Sequence, residues 1–214
     1  MNIKPALFPF TVFSAVLMSA VYAAPVSAES TSGVFTSYYE NGSIEWERRY
    51  FDEKQHGLTK KYYPNGNIQG ESLFQEGRLN GVFKTFYDDG SLESEMSYQE
   101  DRLIGKAMTY YKNGNLKRTV SYADGLRHGW TYDYYPDGDV KAEWFYYQDR
   151  LEGHAIMYDR HEVIRAVARF ENGIRQGYTD LYSPEGVVIE KHFYNNGLQT
   201  EETLMLNQAE SYGN

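Results

Sequence analysis

The stretch YYPNGNIQGESLFQEGRLNGVFKT, residues 62–85, reappears without gaps when the chain is shifted by 24 residues in either direction. Each unit opens on a ring: Tyr38, Tyr62, Phe86, Tyr110, Tyr134, Tyr158 and Tyr182. Four residues on stand Gly42, Gly66, Gly90, Gly114 and Gly138, then Glu162 as the exception, then Gly186. Six residues on comes a branched aliphatic: Ile44, Ile68, Leu92, Leu116, Val140, Ile164 and Val188. A second ring follows at Tyr50, Phe74, Tyr98, Tyr122, Tyr146, Phe170 and Tyr194, and a second glycine at Gly57, Gly81, Gly105, Gly129, Gly153 and Gly177. Seven copies, starting at 38, 62, 86, 110, 134, 158 and 182, fill residues 38–205. Such a period marks a repeat protein, in which each unit is stabilised mainly by its neighbours.

Each class of position has a physical job. Asn or Asp followed by Gly, as at Asn65-Gly66, predicts a two-residue type I′ hairpin turn, because both residues tolerate positive φ. Gly42, Gly66, Gly90, Gly114, Gly138 and Gly186 are therefore the expected structural turns. Aromatic and β-branched residues around them fit a pleated surface. A unit of 24 residues has room for two short strands and two turns. With a two-residue turn, Tyr63 would face Ile68 and Phe74 would face Gly57, a ring laid over a glycine. Tyr63, Ile68 and Phe74 would then share one face. Tyr62 would share the other with charged residues such as Glu71 and Lys84.

Outside the repeats the chain changes character. Residues 1–28 carry Lys4 and then an uncharged apolar run, followed by small residues. This pattern reads as a secretory signal peptide, cleaved after Ala23 or Ala28, and predicts an exported, periplasmic or secreted product; the alternative is an uncleaved anchor, through which alone the protein would meet a membrane. Residues 29–37 are a polar lead-in in which Val34 and Phe35 could add a first strand, and residues 206–214 form a tail. No cysteine is present, so the sheet must hold by packing and backbone pairing. The net charge is −9, and it becomes −10 without Lys4, the one charged residue of the leader. That balance argues against nucleic acid or anionic lipid as the main partner, since both need a basic footprint.

The unit YYxNGxIxxExxYxxGxLxGxxxxY resembles the MORN repeat in its variant form, and chains built of it resemble the YwqK-type antitoxin family. The resemblance covers residues 38–205. It implies an all-β fold: an elongated, single-layer antiparallel sheet made as a meander of β-hairpins from seven 24-residue repeats. Related repeats serve as scaffolds, as lipid-contact modules or as attachments to enzymes, and here no stretch remains to be a separate enzymatic domain.

The residues themselves offer little chemistry. The five histidines lack the ligand spacing of a zinc site, so no metal and no cofactor are expected. Glu47, Glu71, Glu95 and Glu143 stand in register, but carboxylates on adjacent repeats lie about 10 Å apart by strand spacing, too far for a retaining glycosidase pair. There is no G-x-S-x-G elbow and no phosphate-binding glycine loop. The aromatic rows serve mainly to hold the sheet. One row, Tyr62, Phe86, Tyr110, Tyr134 and Tyr158, is the candidate partner-binding surface, since tyrosine joins apolar area to a hydroxyl. The reading is thus a non-enzymatic exported scaffold that binds a protein, in one form a toxin-neutralising immunity protein of the cell envelope. The alternative is an envelope glycan-binding module using the ring row.

Overall fold

In a computed structural model of the chain, residues 32–205 are described. The expected signal peptide and cleavage sites, the start of the lead-in and the tail at 206–214 lie outside the described residues. The described chain is all β, and its strands run in order: β1 (Gly33–Tyr38), β2 (Ile44–Phe51), β3 (Lys54–Gln55), β4 (Gly57–Tyr62), β5 (Ile68–Gln75), β6 (Arg78–Leu79), β7 (Gly81–Phe86), β8 (Leu92–Gln99) and β9 (Arg102–Tyr110). They continue as β10 (Leu116–Ala123), β11 (Leu126–Tyr134), β12 (Val140–Tyr147), β13 (Arg150–Tyr158), β14 (Ile164–Glu171), β15 (Ile174–Tyr182), β16 (Val188–Asn195) and β17 (Leu198–Met205). Each long strand pairs antiparallel with the next in the chain, giving one open sheet built as a meander. Val34 and Phe35 do lie in a first strand, β1, which pairs with β2.

The turns correct the expected geometry. Tyr63 N donates to Asn67 O at 2.8 Å, and Gly66 N donates back to Tyr63 O at 2.9 Å. The loop is Pro64-Asn65-Gly66, a three-residue turn, and at its tip Gly66 alone has positive φ, at 88°. This is a type I turn closed by a glycine bulge, not the two-residue turn that Asn-Gly suggested. The two-residue turns sit at the opposite ends of the strands. Glu76-Gly77, Glu100-Asp101, Asp124-Gly125 and Asn172-Gly173 each have both residues at positive φ. In the sixth unit Glu162, at φ 58°, takes the glycine's place, and Asp159 Oδ1 accepts from His161 N and Val163 N to brace the loop.

The bulge changes which residues share a face. Tyr62, not Tyr63, pairs with Ile68, and the register shifts between Lys61 and Tyr62. Beyond the bulge the pairs run Lys61 with Gly70, Lys60 with Glu71, Thr59 with Ser72 and Gly57 with Phe74. Ile68 therefore joins Tyr62, Lys60 and Glu71 on what we call the ring face. Phe74 stays opposite Gly57 on the other, buried face, and the same register recurs at Gly81 with Tyr98, Gly105 with Tyr122, Gly153 with Phe170 and Gly177 with Tyr194. The ring does not fill the space over the glycine as expected, since a Cβ on Gly57 would meet Arg49 and one on Gly105, Gly153 or Gly177 would meet nothing within 4 Å.

The buried face is drier than a single-layer sheet leads one to expect. Thr59, Ser72, Ala107, Thr131, Ala168 and Thr179 are each no more than 2% exposed. Small side chains alternate there with the second-row rings. A small residue between large ones on a pleated face loses its solvent to its neighbours. Basic side chains complete the cover: Arg127 lies 4.1 Å over Tyr146 and Arg175 lies 4.5 Å over Tyr194.

Candidate functional site

All five candidate residues, Tyr62, Phe86, Tyr110, Tyr134 and Tyr158, end a strand on the ring face, beside a three-residue turn, and all are half-buried. Each is opposed by the branched aliphatic of the following strand: Tyr62 by Ile68, Phe86 by Leu92, Tyr110 by Leu116, Tyr134 by Val140 and Tyr158 by Ile164. The row is thus a continuous band of rings and aliphatics running across the strands.

The backbone of the same five residues carries a second function that the sequence did not reveal. The hydroxyls of Tyr39, Tyr63, Tyr87, Tyr111 and Tyr135 donate to the carbonyl oxygens of Tyr62, Phe86, Tyr110, Tyr134 and Tyr158, at 2.7, 2.9, 2.7, 2.8 and 2.9 Å. The second tyrosine of each unit therefore latches it to the first ring of the next. The latch series stops where Asp159 and Ser183 replace the tyrosine. Turn asparagines add to it, with Asn65 Nδ2 donating to Asp88 O at 3.0 Å and Asn113 Nδ2 to Pro136 O at 2.8 Å.

Electrostatics differ along the row. Tyr62 OH donates to Glu47 Oε2 and Tyr158 OH to Glu143 Oε1, each at 2.7 Å. Burial, then the bond to the carboxylate, pushes both phenols up to about 12. Tyr110 OH instead points to Met108 Sδ at 3.5 Å, and burial raises its pKa.

Two residues inward from the ring row along each ring-bearing strand, on the same face, a second row crosses the sheet. Cross-strand pairing orders it as Glu47, Lys60, Glu71, Lys84, Glu95, Met108, Thr119, Tyr132, Glu143, Ile156, Val167, Asp180 and Lys191. Opposite charges alternate at its start, with Lys60–Glu71 at 3.5 Å and Lys84–Glu95 at 3.1 Å, and Asp180–Lys191 closes it at 3.4 Å. The middle of the row is apolar and aromatic. There Trp130 and Tyr132 stack at 6.1 Å and 29°, Tyr132 lies 6.3 Å from Tyr134, and Trp130 meets Phe145 edge-on at 5.6 Å.

No cluster of acids and histidines among the described residues could hold a metal ion. His154 and His161 are not brought together with Asp159 as ligands. His192 is buried, with Nδ1 2.7 Å from Gln199 Nε2 and Nε2 3.0 Å from Glu190 Oε1. The in-register carboxylates Glu71 and Glu95 face lysines rather than each other.

With this geometry in hand, comparison with known families gives one assignment. The MORN repeat variant matches residues 32–52, 55–76, 79–100 and 103–124. The same turn geometry continues past these four matched segments to Gly186. No curated protein matches the chain.

Proposed function

We propose that the chain is a non-enzymatic repeat scaffold that binds a protein partner on its ring face. The observation that carries this reading is the unbroken band of ring–aliphatic pairs, from Tyr62–Ile68 to Tyr158–Ile164, left half-exposed on a sheet whose other face is filled by its own side chains. A rigid sheet, latched from unit to unit, presents such a band at low entropic cost to a partner. The match to the MORN repeat variant supports the scaffold role. The leader-like residues 1–28 favour action outside the cytoplasm, and in that setting the partner would be an envelope or secreted protein, a toxin in the immunity form of the proposal.

The test is capture. The tagged protein is recovered from an envelope extract and its companions identified by mass spectrometry. We expect one stoichiometric protein, lost when Tyr110 and Tyr134 are both replaced by serine. Retention on wall polymer without a protein companion would replace this reading with the glycan-binding one.

A further inference from the structure

The inward row of the ring face follows a rule with one exception. Glu47, Glu71, Glu95 and Asp180 each face a lysine across the sheet. Glu143 does not: its neighbours on the two adjoining strands are Tyr132 and Ile156. It accepts the Tyr158 hydroxyl through Oε1, and no ion pair reaches it among the described residues. It is half-buried, so solvent does not fully compensate its charge.

Among the three tryptophans, Trp130 beside Glu143 is the complementary exception. The chain lays its own cations over Trp46, through Arg48 at 4.3 Å and Lys61 at 5.1 Å, and over Trp144, through Arg118 at 5.8 Å. Rings of Tyr87, Tyr111, Tyr135, Tyr146 and Tyr178 are covered in the same way. Trp130, Tyr132, Tyr134 and Phe145 have no such cation among the described residues. Trp130 is 45% exposed. Glu152 stands opposite Phe145 but its Oε1 accepts from Asn172 N at 2.9 Å, and Arg169 on the next hairpin is held by Glu171 at 2.7 Å, so Glu143 is the carboxylate of the site.

From this we infer that Trp130, Tyr132, Phe145 and Glu143 form a receptor for a lysine or arginine side chain of the partner protein. Ring faces attract a cation, most strongly at tryptophan, and an adjacent carboxylate supplies the charge-assisted hydrogen bond. The acidic net charge of −9 favours a basic partner in the approach as well. The inference rests on the protein-binding reading and narrows it to a basic segment.

The experiment uses the purified, isotope-labelled protein and three synthetic hexapeptides that alternate threonine with lysine, glutamine or glutamate. Binding is followed at the Trp130 indole N–H resonance, assigned by loss of that signal in Trp130→Phe. The lysine peptide is expected to shift it saturably, the glutamine and glutamate peptides not, and Glu143→Gln to weaken the lysine peptide about tenfold, the loss of one charge-assisted contact. Glu143→Gln keeps the side-chain volume, and circular dichroism checks its fold. No shift with the lysine peptide, or an equal shift with the glutamine peptide or with a chitin oligosaccharide, overturns the inference. Capture separates this from the wider reading. A partner retained equally by the Trp130→Ala, Glu143→Gln double variant overturns the cation site and leaves the scaffold. A saturable lysine-peptide shift with no captured protein supports the site and removes only the wider reading.

Discussion

The Tyr63 hydroxyl donates to the carbonyl oxygen of Phe86 at 2.9 Å, joining residues 23 apart across a repeat boundary. Four equivalent bonds flank it, so the second tyrosine of the unit is a connector rather than a member of a ring row. Each bond satisfies a carbonyl at a strand end, beside the bulge where the ladder is irregular.

Tyr111→Phe removes one latch and leaves the Tyr134 carbonyl without its donor at 2.8 Å. A loss of about 1 kcal/mol is expected, the net worth of such a bond. Urea unfolding measures it, with the slope unchanged. Tyr39→Phe combined with Tyr135→Phe should cost the sum of the two single changes, because the sites are distant.

The sequence revealed the period, the strands, the pairing of Phe74 with Gly57 and the line of five leading rings. These follow from residue type at fixed spacing. It placed the Asn-Gly turns but misjudged their type, because Asn-Gly serves two geometries: both residues of a type I′ turn, or the last two of a type I turn with a glycine bulge. The true two-residue turns use Glu-Asp, Gln-Asp or Asp-Glu in some units, as at Glu100-Asp101, pairs that carry no strong local signal. One bulge residue then moved Ile68 to the opposite face. The latches were hidden for another reason: a hydroxyl bonded to a backbone carbonyl leaves no mark on the accepting residue's identity. Glu143 as the exception in its row became visible only once the register was known.

The glycines should differ in their tolerance of alanine. At Gly90, φ is 87° and a Cβ would meet nothing within 4 Å, so Gly90→Ala should cost about 1 kcal/mol from backbone strain alone. At Gly81, φ is 130° and a Cβ would lie 2.8 Å from Leu73 Cδ2, so Gly81→Ala should cost about 2–3 kcal/mol. The reverse change, Glu162→Gly, relieves a non-glycine φ of 58° and should stabilise by about 0.5–1 kcal/mol. Thermal unfolding of the three variants ranks them.

Alkaline titration tests the ring-face carboxylates. The phenols of Tyr62 and Tyr158 ionise at about 12 in the folded chain, above the ordinary value of 10.0, because burial first and the carboxylate second disfavour the phenolate. Their contribution to stability is therefore complete below pH 10 and is lost as pH rises toward about 12, where the unfolded chain has already released those protons. Phenolate absorbance should show a late-ionising fraction. Glu143→Gln should bring Tyr158 down toward, but not to, the ordinary value, because the larger cause, burial, remains.

Two threonines on the buried face should respond to the same substitution with opposite signs. Thr131 is 2% exposed, and its hydroxyl has no hydrogen-bond partner among the described residues. It faces Trp144, whose indole N–H is likewise without one. A buried hydroxyl in that position has lost its hydration and gained nothing, so Thr131→Val should stabilise by about 1 kcal/mol. Thr59 is 1% exposed, but its hydroxyl oxygen accepts from Gln55 Nε2 at 3.2 Å. Thr59→Val strands that amide beside the two-residue turn and should destabilise by about 0.5–1 kcal/mol. Burial is the same at both sites, so it cannot produce opposite signs. If both valine variants move the unfolding midpoint in one direction, the hydroxyl partners do not govern the packing of this face, and the second-row rings alone would set it.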